Sequence, residues 1–342
     1  MYSHFSISAK RRETLKEFHN FVEIEWKESI RHVGTRWLSL LPCVDRILCN
    51  YQAFISYFLS LGSDCPKQIQ SLLKITEESH VVSEEIEIYL LFCNPIFNNA
   101  VKKIEKNSTT VIELFSIMLN LKTSLLSRKT EQFFGFLTNQ KLNNLQDKNL
   151  KNTITRSFNL FIDEALKYLN NHFDFDEKQN WLFKLTHFQL SQNTFPTYKH
   201  FEEIVHHIPQ LQKLDFDKLF DEIVTIQSVF KQFIKTNDWK NVKTIPEKWQ
   251  FIFQKDIELP NMFLFISFLL TLPSSSAFTE RVFSVMNIKW RDERNRCSTA
   301  LIKAELLIYF NYKEDCLEFS KSVKNDKDLI KLAKNQNKYS FK

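Results

Sequence analysis

From Asn149 to Leu169 the chain reads NLKNTITRSFNLFIDEALKYL. Apolar side chains recur in this stretch at helical spacing, and neither glycine nor proline interrupts them, which predicts an α-helix. The same pattern, nearly free of glycine and proline, predicts helices over residues 84–104, 108–140, 218–234 and 246–254. Only 3 glycines and 8 prolines occur among the 342 residues, so the sequence predicts a mainly α-helical protein.

Composition and spacing argue against several kinds of site. The glycines stand alone in the sequence, so no Gly-rich phosphate-binding loop can form and no cofactor is expected. The 6 cysteines are scattered without a C-x-x-C pair, which favours free thiols over a zinc site. The acids and histidine within 172–177 are more typical of a solvated loop than of a metal site, so no metal is expected.

Charge and hydropathy indicate the environment of the chain. No apolar run reaches the length of a membrane span, and residues 1–13 lack the apolar centre of a signal peptide. We therefore expect a soluble intracellular protein with no membrane partner, and no small-molecule substrate. A net charge of +6 permits a nucleic-acid partner without requiring one.

Two helices are predicted near the start of the chain. Ser8 is the expected N-cap of the first. The second is expected over residues 35–48, which begin TRWLSLLP, with an interruption at Pro42. Within it Trp37 is expected to pack in the core, and Arg36 is a candidate for contact with a phosphate or for a surface ion pair.

The stretch from Leu272 to Tyr309 reads LPSSSAFTERVFSVMNIKWRDERNRCSTALIKAELLIY. A helix after Pro273 is predicted to present Glu280 on its polar face, although a glutamate in a first helical turn also complements the helix dipole. A basic turn follows, and its cations are candidates for phosphate contacts or for ion pairs with the acids between them. These cations are Lys289, Arg291, Arg294 and Arg296.

The next helix, with Ser298 as its expected N-cap, is apolar nearly all round. Such a helix must be buried on several sides, either in the core of its own domain or against a partner. The residues that would form an interface with a second copy are Leu301, Ile302, Leu306, Leu307, Ile308 and Phe310.

Taken in order, these segments resemble the C-terminal region of hAT-family DNA transposases. The strings that carry the resemblance are Ser275-Ser276-Ala277, the residues from Glu280 to Ser284, those from Asp292 to Arg296, and the closing apolar helix. TRWLSLLP is similar to the family's Arg-Trp helix, and the helices between resemble the all-α insertion in its RNase H-like fold. The resemblance implies that Glu280 descends from a catalytic glutamate and that the C-terminal helix dimerises the protein.

The resemblance also implies a loss of catalysis. RNase H-like transposases hold divalent metal ions with two aspartates and one glutamate. Both aspartates precede the Arg-Trp helix in the family, whereas the first aspartate of this chain is Asp45. We therefore expect a truncated, catalytically inactive relative that forms a homodimer, with weak affinity for DNA and a nuclear location. A fragment with residual metal-dependent nuclease activity and a decaying transposon product without function are the alternatives.

The expected fold is a mainly α protein: a helical insertion domain with remnants of an RNase H-like fold, most of whose β-sheet is missing. Four regions follow from this expectation. They are a remnant of the RNase H-like core at 1–50, the insertion domain at 51–241, the hAT C-terminal dimerisation region at 242–316, and a lysine-rich tail at 317–342.

Overall fold

The structure is a computed structural model, which describes residues 1–32, 40–73, 84–93, 97–106, 108–190, 194–291, 294, 297–312 and 314–334. Within these ranges the backbone forms α-helices and short 3-10 helices and no β-strand. One isolated antiparallel bridge joins Thr110 to Pro273. The prediction of a mainly α-helical protein is confirmed.

The chain divides into two compact units, Met1–Ser275 and Ser276–Lys342. The α-helices described in the first unit are α1 (Tyr2–Ser6), α2 (Ala9–Phe21), α3 (Leu40–Cys49), α4 (Tyr51–Ser60), α5 (Lys67–Leu73), α6 (Glu85–Cys93), α7 (Asn98–Ile104), α8 (Val111–Thr130), α9 (Phe136–Asn144), α10 (Lys148–His172), α11 (Trp181–Lys184), α12 (Tyr198–Val205), α13 (Phe216–Phe233), α14 (Asn237–Asn241), α15 (Ile245–Phe253) and α16 (Pro260–Thr271). Its 3-10 helices are Gly62–Asp64, Leu185–Gln189 and Pro209–Lys213. The helices described in the second unit are α17 (Ala277–Lys289), α18 (Thr299–Asn311), α19 (Cys316–Asn325) and α20 (Lys327–Lys334).

An N-terminal core lies between α1, α2 and α4. Ser8 caps α2 as predicted, since its hydroxyl accepts a hydrogen bond from the backbone N–H of Arg11. Leu15 and Phe54 are almost fully buried in this core. Burying an aromatic or aliphatic side chain of this size contributes about 1.5–3 kcal/mol, so this packing rather than helix propensity holds the short helices together.

A second core is built on α10, the helix that contains the 149–169 stretch. Its buried side chains follow the helical repeat and are Ile154, Phe158, Ile162, Leu166 and Leu169. Phe158 stacks on Phe92 of α6 with ring centroids 3.9 Å apart. The apolar spacing visible in the sequence is therefore the face that packs on α6 and α8.

A third core surrounds Trp249 on α15, whose indole N–H donates to the carbonyl of Phe188 at 2.9 Å. A buried carboxylate joins two of the surrounding helices: Glu222 of α13 accepts hydrogen bonds from the backbone N–H groups of Asn261 and Met262 in the first turn of α16. These N–H groups have no partner within their own helix, so Glu222 satisfies them and complements the helix dipole.

Three predicted helices differ from the observed ones. The helix expected over 108–140 ends at Thr130, and α9 begins at Phe136. Between them Gln132 adopts φ 49° and Gly135, the N-cap of α9, adopts φ 121°, and neither value continues a right-handed helix. The helix expected over 84–104 is divided into α6 and α7, and residues 94–96 between them lie outside the described residues. Pro42 lies within α3, so the described part of the helix expected over 35–48 is not interrupted there. Residues 35–39 of that predicted helix, Trp37 included, lie outside the described residues.

No described helix is both long enough and apolar enough to cross a membrane.

Candidate functional site

The candidate site is the helical hairpin formed by α17 and α18. Phe278, at the start of α17, contacts Phe310, near the end of α18, with ring centroids 5.4 Å apart. Lys289, at the end of α17, pairs with Glu305 in the middle of α18. The two helices therefore run antiparallel. The predicted cap of α18 is confirmed, since the hydroxyl of Ser298 accepts a hydrogen bond from the N–H of Leu301 at 3.2 Å.

One side of α18 packs against α17 and is called the inner face. Ile302 is only 2 % exposed, and Leu306 and Phe310 are half-buried. These residues recur at intervals of four, so they lie on one side of the helix. On α17 the half-buried side chains Val282 and Val285 lie on the stripe that begins at Phe278. Three of the six predicted interface residues, Ile302, Leu306 and Phe310, therefore lie on the side of α18 that packs against α17.

The opposite side of α18, called the outer face, is also apolar. Leu301 is 46 % exposed, Leu307 54 % and Ile308 62 %. Ala304 lies between them on the same side and is exposed as well. Large apolar side chains grouped in this way on a surface are typical of interaction sites, whereas scattered single ones are ordinary.

The basic turn contacts the inner face through Glu305. The guanidinium of Arg294 donates to both carboxylate oxygens of Glu305, at 2.6 Å and 3.2 Å, and also to the carbonyl of Lys289. Lys289 Nζ lies 3.4 Å from the same carboxylate. The hydrogen bonds from Arg294 and Lys289 lower the pKa of Glu305, and the bond to Glu305 raises the pKa of Arg294.

This arrangement gives two of the predicted DNA-binding cations another role. Lys289 and Arg294 hold the turn against α18 by binding Glu305, and the side chain of Arg291 is exposed. Arg36 and Arg296 lie outside the described residues. The sequence analysis did not single out Glu305. It is the one acidic residue of α18, and a single acid in an apolar helix next to a basic turn could have indicated an ion pair.

Glu280 lies in the first turn of α17, on the exposed side of the hairpin. One of its carboxylate oxygens accepts a hydrogen bond from the hydroxyl of Ser276 at 2.8 Å. Across the described residues, no three His, Cys, Asp or Glu side chains come together as a metal-binding group. One exposed carboxylate is too few to position a divalent ion for in-line attack on a phosphodiester.

Comparison with family models, with curated proteins and with solved structures finds no match to this chain.

Proposed function

We propose that this protein is a self-associating, non-enzymatic relative of hAT transposases and that it pairs with a second copy through the outer face of α18. The exposed apolar side chains Leu301, Leu307 and Ile308 are the observation that carries the proposal. Covering them with the same surface of another chain would remove apolar area from water, which is the main driving force for protein association.

The geometry of the outer face suits a second copy of the chain. Leu301 and Ile308 are seven residues apart and Ala304 lies between them, which is the spacing of a seam between paired helices. The outer face carries no acidic side chain, so two copies related by a two-fold axis would bring no like charges together. The small side chain of Ala304 would let the two helices approach closely.

Descent from hAT transposases rests on the order of the strings around Glu280 and on TRWLSLLP. In this proposal residues 1–50 and 242–316 derive from the RNase H-like fold and its C-terminal dimerisation region, and residues 51–241 from the helical insertion. A nuclear location and weak affinity for DNA follow from the same descent and stay predictions. Arg291 is the described cation of the basic turn whose exposure supports a phosphate contact.

The nuclease alternative requires carboxylates near Glu280 that the described residues do not supply as a metal-binding group. Glu280 instead pairs with Ser276 at the start of its own helix, where a carboxylate complements the helix dipole. This local role supports the non-enzymatic reading.

Light scattering of the purified chain over a concentration series tests the proposal. We expect a dimer whose mass falls to that of the monomer in Leu307→Glu and Ile308→Glu, because each change places a charge in the apolar seam. Both side chains are exposed, so neither change should disturb the packing of α18 on α17.

Lys303→Glu is the matched control, since it changes the charge of an exposed, polar position on the same helix. We expect this variant to remain a dimer. A wild-type chain that is monomeric at every concentration would overturn the proposal, as would loss of the dimer in all three variants alike.

A further inference from the structure

An open cavity of about 410 Å³ lies in the first unit, and its described lining comes from residues 1–3 and 29–32 and from α3, α4, α5 and α6. Its walls include Ile47, Phe54, Ile69, Ile86 and Leu90. Phe54 is buried at 1 % exposure, whereas the other four side chains are half-buried. A cavity of this size with mostly apolar walls falls in the range that holds small-molecule ligands.

The arginine side chains in the described lining of the cavity are positively charged, and the other polar side chains there are Tyr2, Ser3, Ser29, His32 and Cys43. Its described lining includes Arg31 and Arg46 and contains no aspartate or glutamate. Arg31 is exposed, so the charge lies towards the mouth, while the apolar side chains form the interior. A ligand that matches this distribution has an apolar body and one anionic end.

Arg46 is held in place by the backbone. Its Nη1 donates to the carbonyl of Glu28 at 2.6 Å, which fixes the guanidinium beside the cavity. A guanidinium has five N–H donors in a planar fork, so this bond leaves the group able to bind a carboxylate as well.

We propose that this cavity binds a straight-chain alkyl carboxylate, with the carboxylate on Arg46 and the alkyl chain among Ile47, Phe54 and Ile69. The proposal is independent of self-association, because the described residues that line the cavity lie in the first unit. It goes beyond the expectation of no small-molecule substrate, since binding of such a ligand requires no reaction.

Isothermal titration calorimetry of the full chain with decanoate, below its micelle concentration, tests the proposal. We expect saturable binding that Arg46→Gln weakens about tenfold or more, because a charge-assisted hydrogen bond is lost. We expect Ile69→Trp to abolish binding by filling the cavity. Decan-1-ol, with the same chain and no charge, should bind at least about tenfold more weakly than decanoate.

Two controls separate this site from others. Arg156→Gln removes an exposed arginine of α10 away from the cavity and should leave decanoate binding unchanged. Leu307→Glu should also leave it unchanged, which separates binding here from adsorption on the outer face of α18. Circular dichroism verifies that each variant keeps its helical content.

The proposal is overturned if decanoate does not bind to the wild-type chain. It is also overturned if Arg46→Gln and Arg156→Gln weaken binding equally, if Ile69→Trp retains it while folded, or if decan-1-ol binds as tightly as decanoate.

Discussion

Glu305 is the residue on which the hairpin geometry depends most. Its carboxylate receives two hydrogen bonds from Arg294 and one from Lys289, so it joins the end of α17, the basic turn and the middle of α18. The sequence suggested phosphate contacts or self-pairing for these cations, and the structure shows a partner outside the turn. Interleaved charges are ambiguous in a sequence, because the partner that satisfies them can lie on another helix.

The pKa of Glu305 predicts how the hairpin responds to pH. The pKa is lowered from 4.5 by the bonds from Arg294 and Lys289. The pair therefore stabilises the folded hairpin above the unfolded-state pKa, and this contribution is lost as the pH falls through the lower, folded-state pKa. We expect Glu305→Gln to speed hydrogen exchange of the α18 amides at about pH 6, and the difference from wild type to disappear as the pH falls through the lowered pKa of Glu305.

Mass spectrometry at matched pH values measures this exchange. Glu280→Gln is the control, because Glu280 bonds Ser276 and lies on the exposed side of the hairpin. A ratio between Glu305→Gln and wild type that stays constant across this pH range would contradict the assigned role.

Among the helices, α18 shows what burial adds to the sequence pattern. Its residues are apolar nearly all round, so the sequence left open whether the helix belongs to an internal core or to an interface. The structure divides the candidates: Ile302, Leu306 and Phe310 contribute to the inner face, while Leu301 and Ile308 remain exposed on the outer face. Different residues of α18 therefore fit each alternative: the inner face fits an internal core, and the outer face fits an interface with a partner.

The break between α8 and α9 shows a different limit of sequence patterns. Apolar spacing continues across 108–140, but Gly135 adopts φ 121° and ψ 146°, a region that is essentially restricted to glycine. We expect Gly135→Ala to lower the free energy of unfolding by about 1–3 kcal/mol, measured by urea denaturation. A Cβ at this position would also lie 3.3 Å from the hydroxyl of Thr138, which adds crowding.

Gly62→Ala is the comparison for this prediction. Gly62 has φ 50°, a left-handed value that other residues tolerate better, and a Cβ there would meet nothing within 4 Å. We expect a smaller loss of stability in Gly62→Ala than in Gly135→Ala. Equal losses, or no loss in Gly135→Ala, would contradict the argument from backbone strain.

For the whole molecule, the three described clusters of buried apolar residues all belong to residues 1–275. We expect a fragment of residues 1–275 to remain helical and to unfold cooperatively by circular dichroism, because the described residues of these three clusters all belong to it. We also expect the fragment to be monomeric by light scattering, because it lacks α18.

A fragment that aggregates or shows no cooperative transition would contradict the independence of the first unit. A folded fragment that still forms dimers would place the self-association surface in residues 1–275. The two compact units do not test the four regions expected from the hAT resemblance, which stay a prediction.

The sequence by itself determined the helical class, the caps at Ser8 and Ser298, and the apolar character of α18. Periodicity and capping depend on free energies within a few neighbouring residues, so they can be read along the chain. Only the tertiary structure decided which face of α18 is covered, that Glu305 binds Lys289 and Arg294, and that Arg46 and Ile69 line one cavity. These relations join residues on different elements, and packing rather than local preference brings them together.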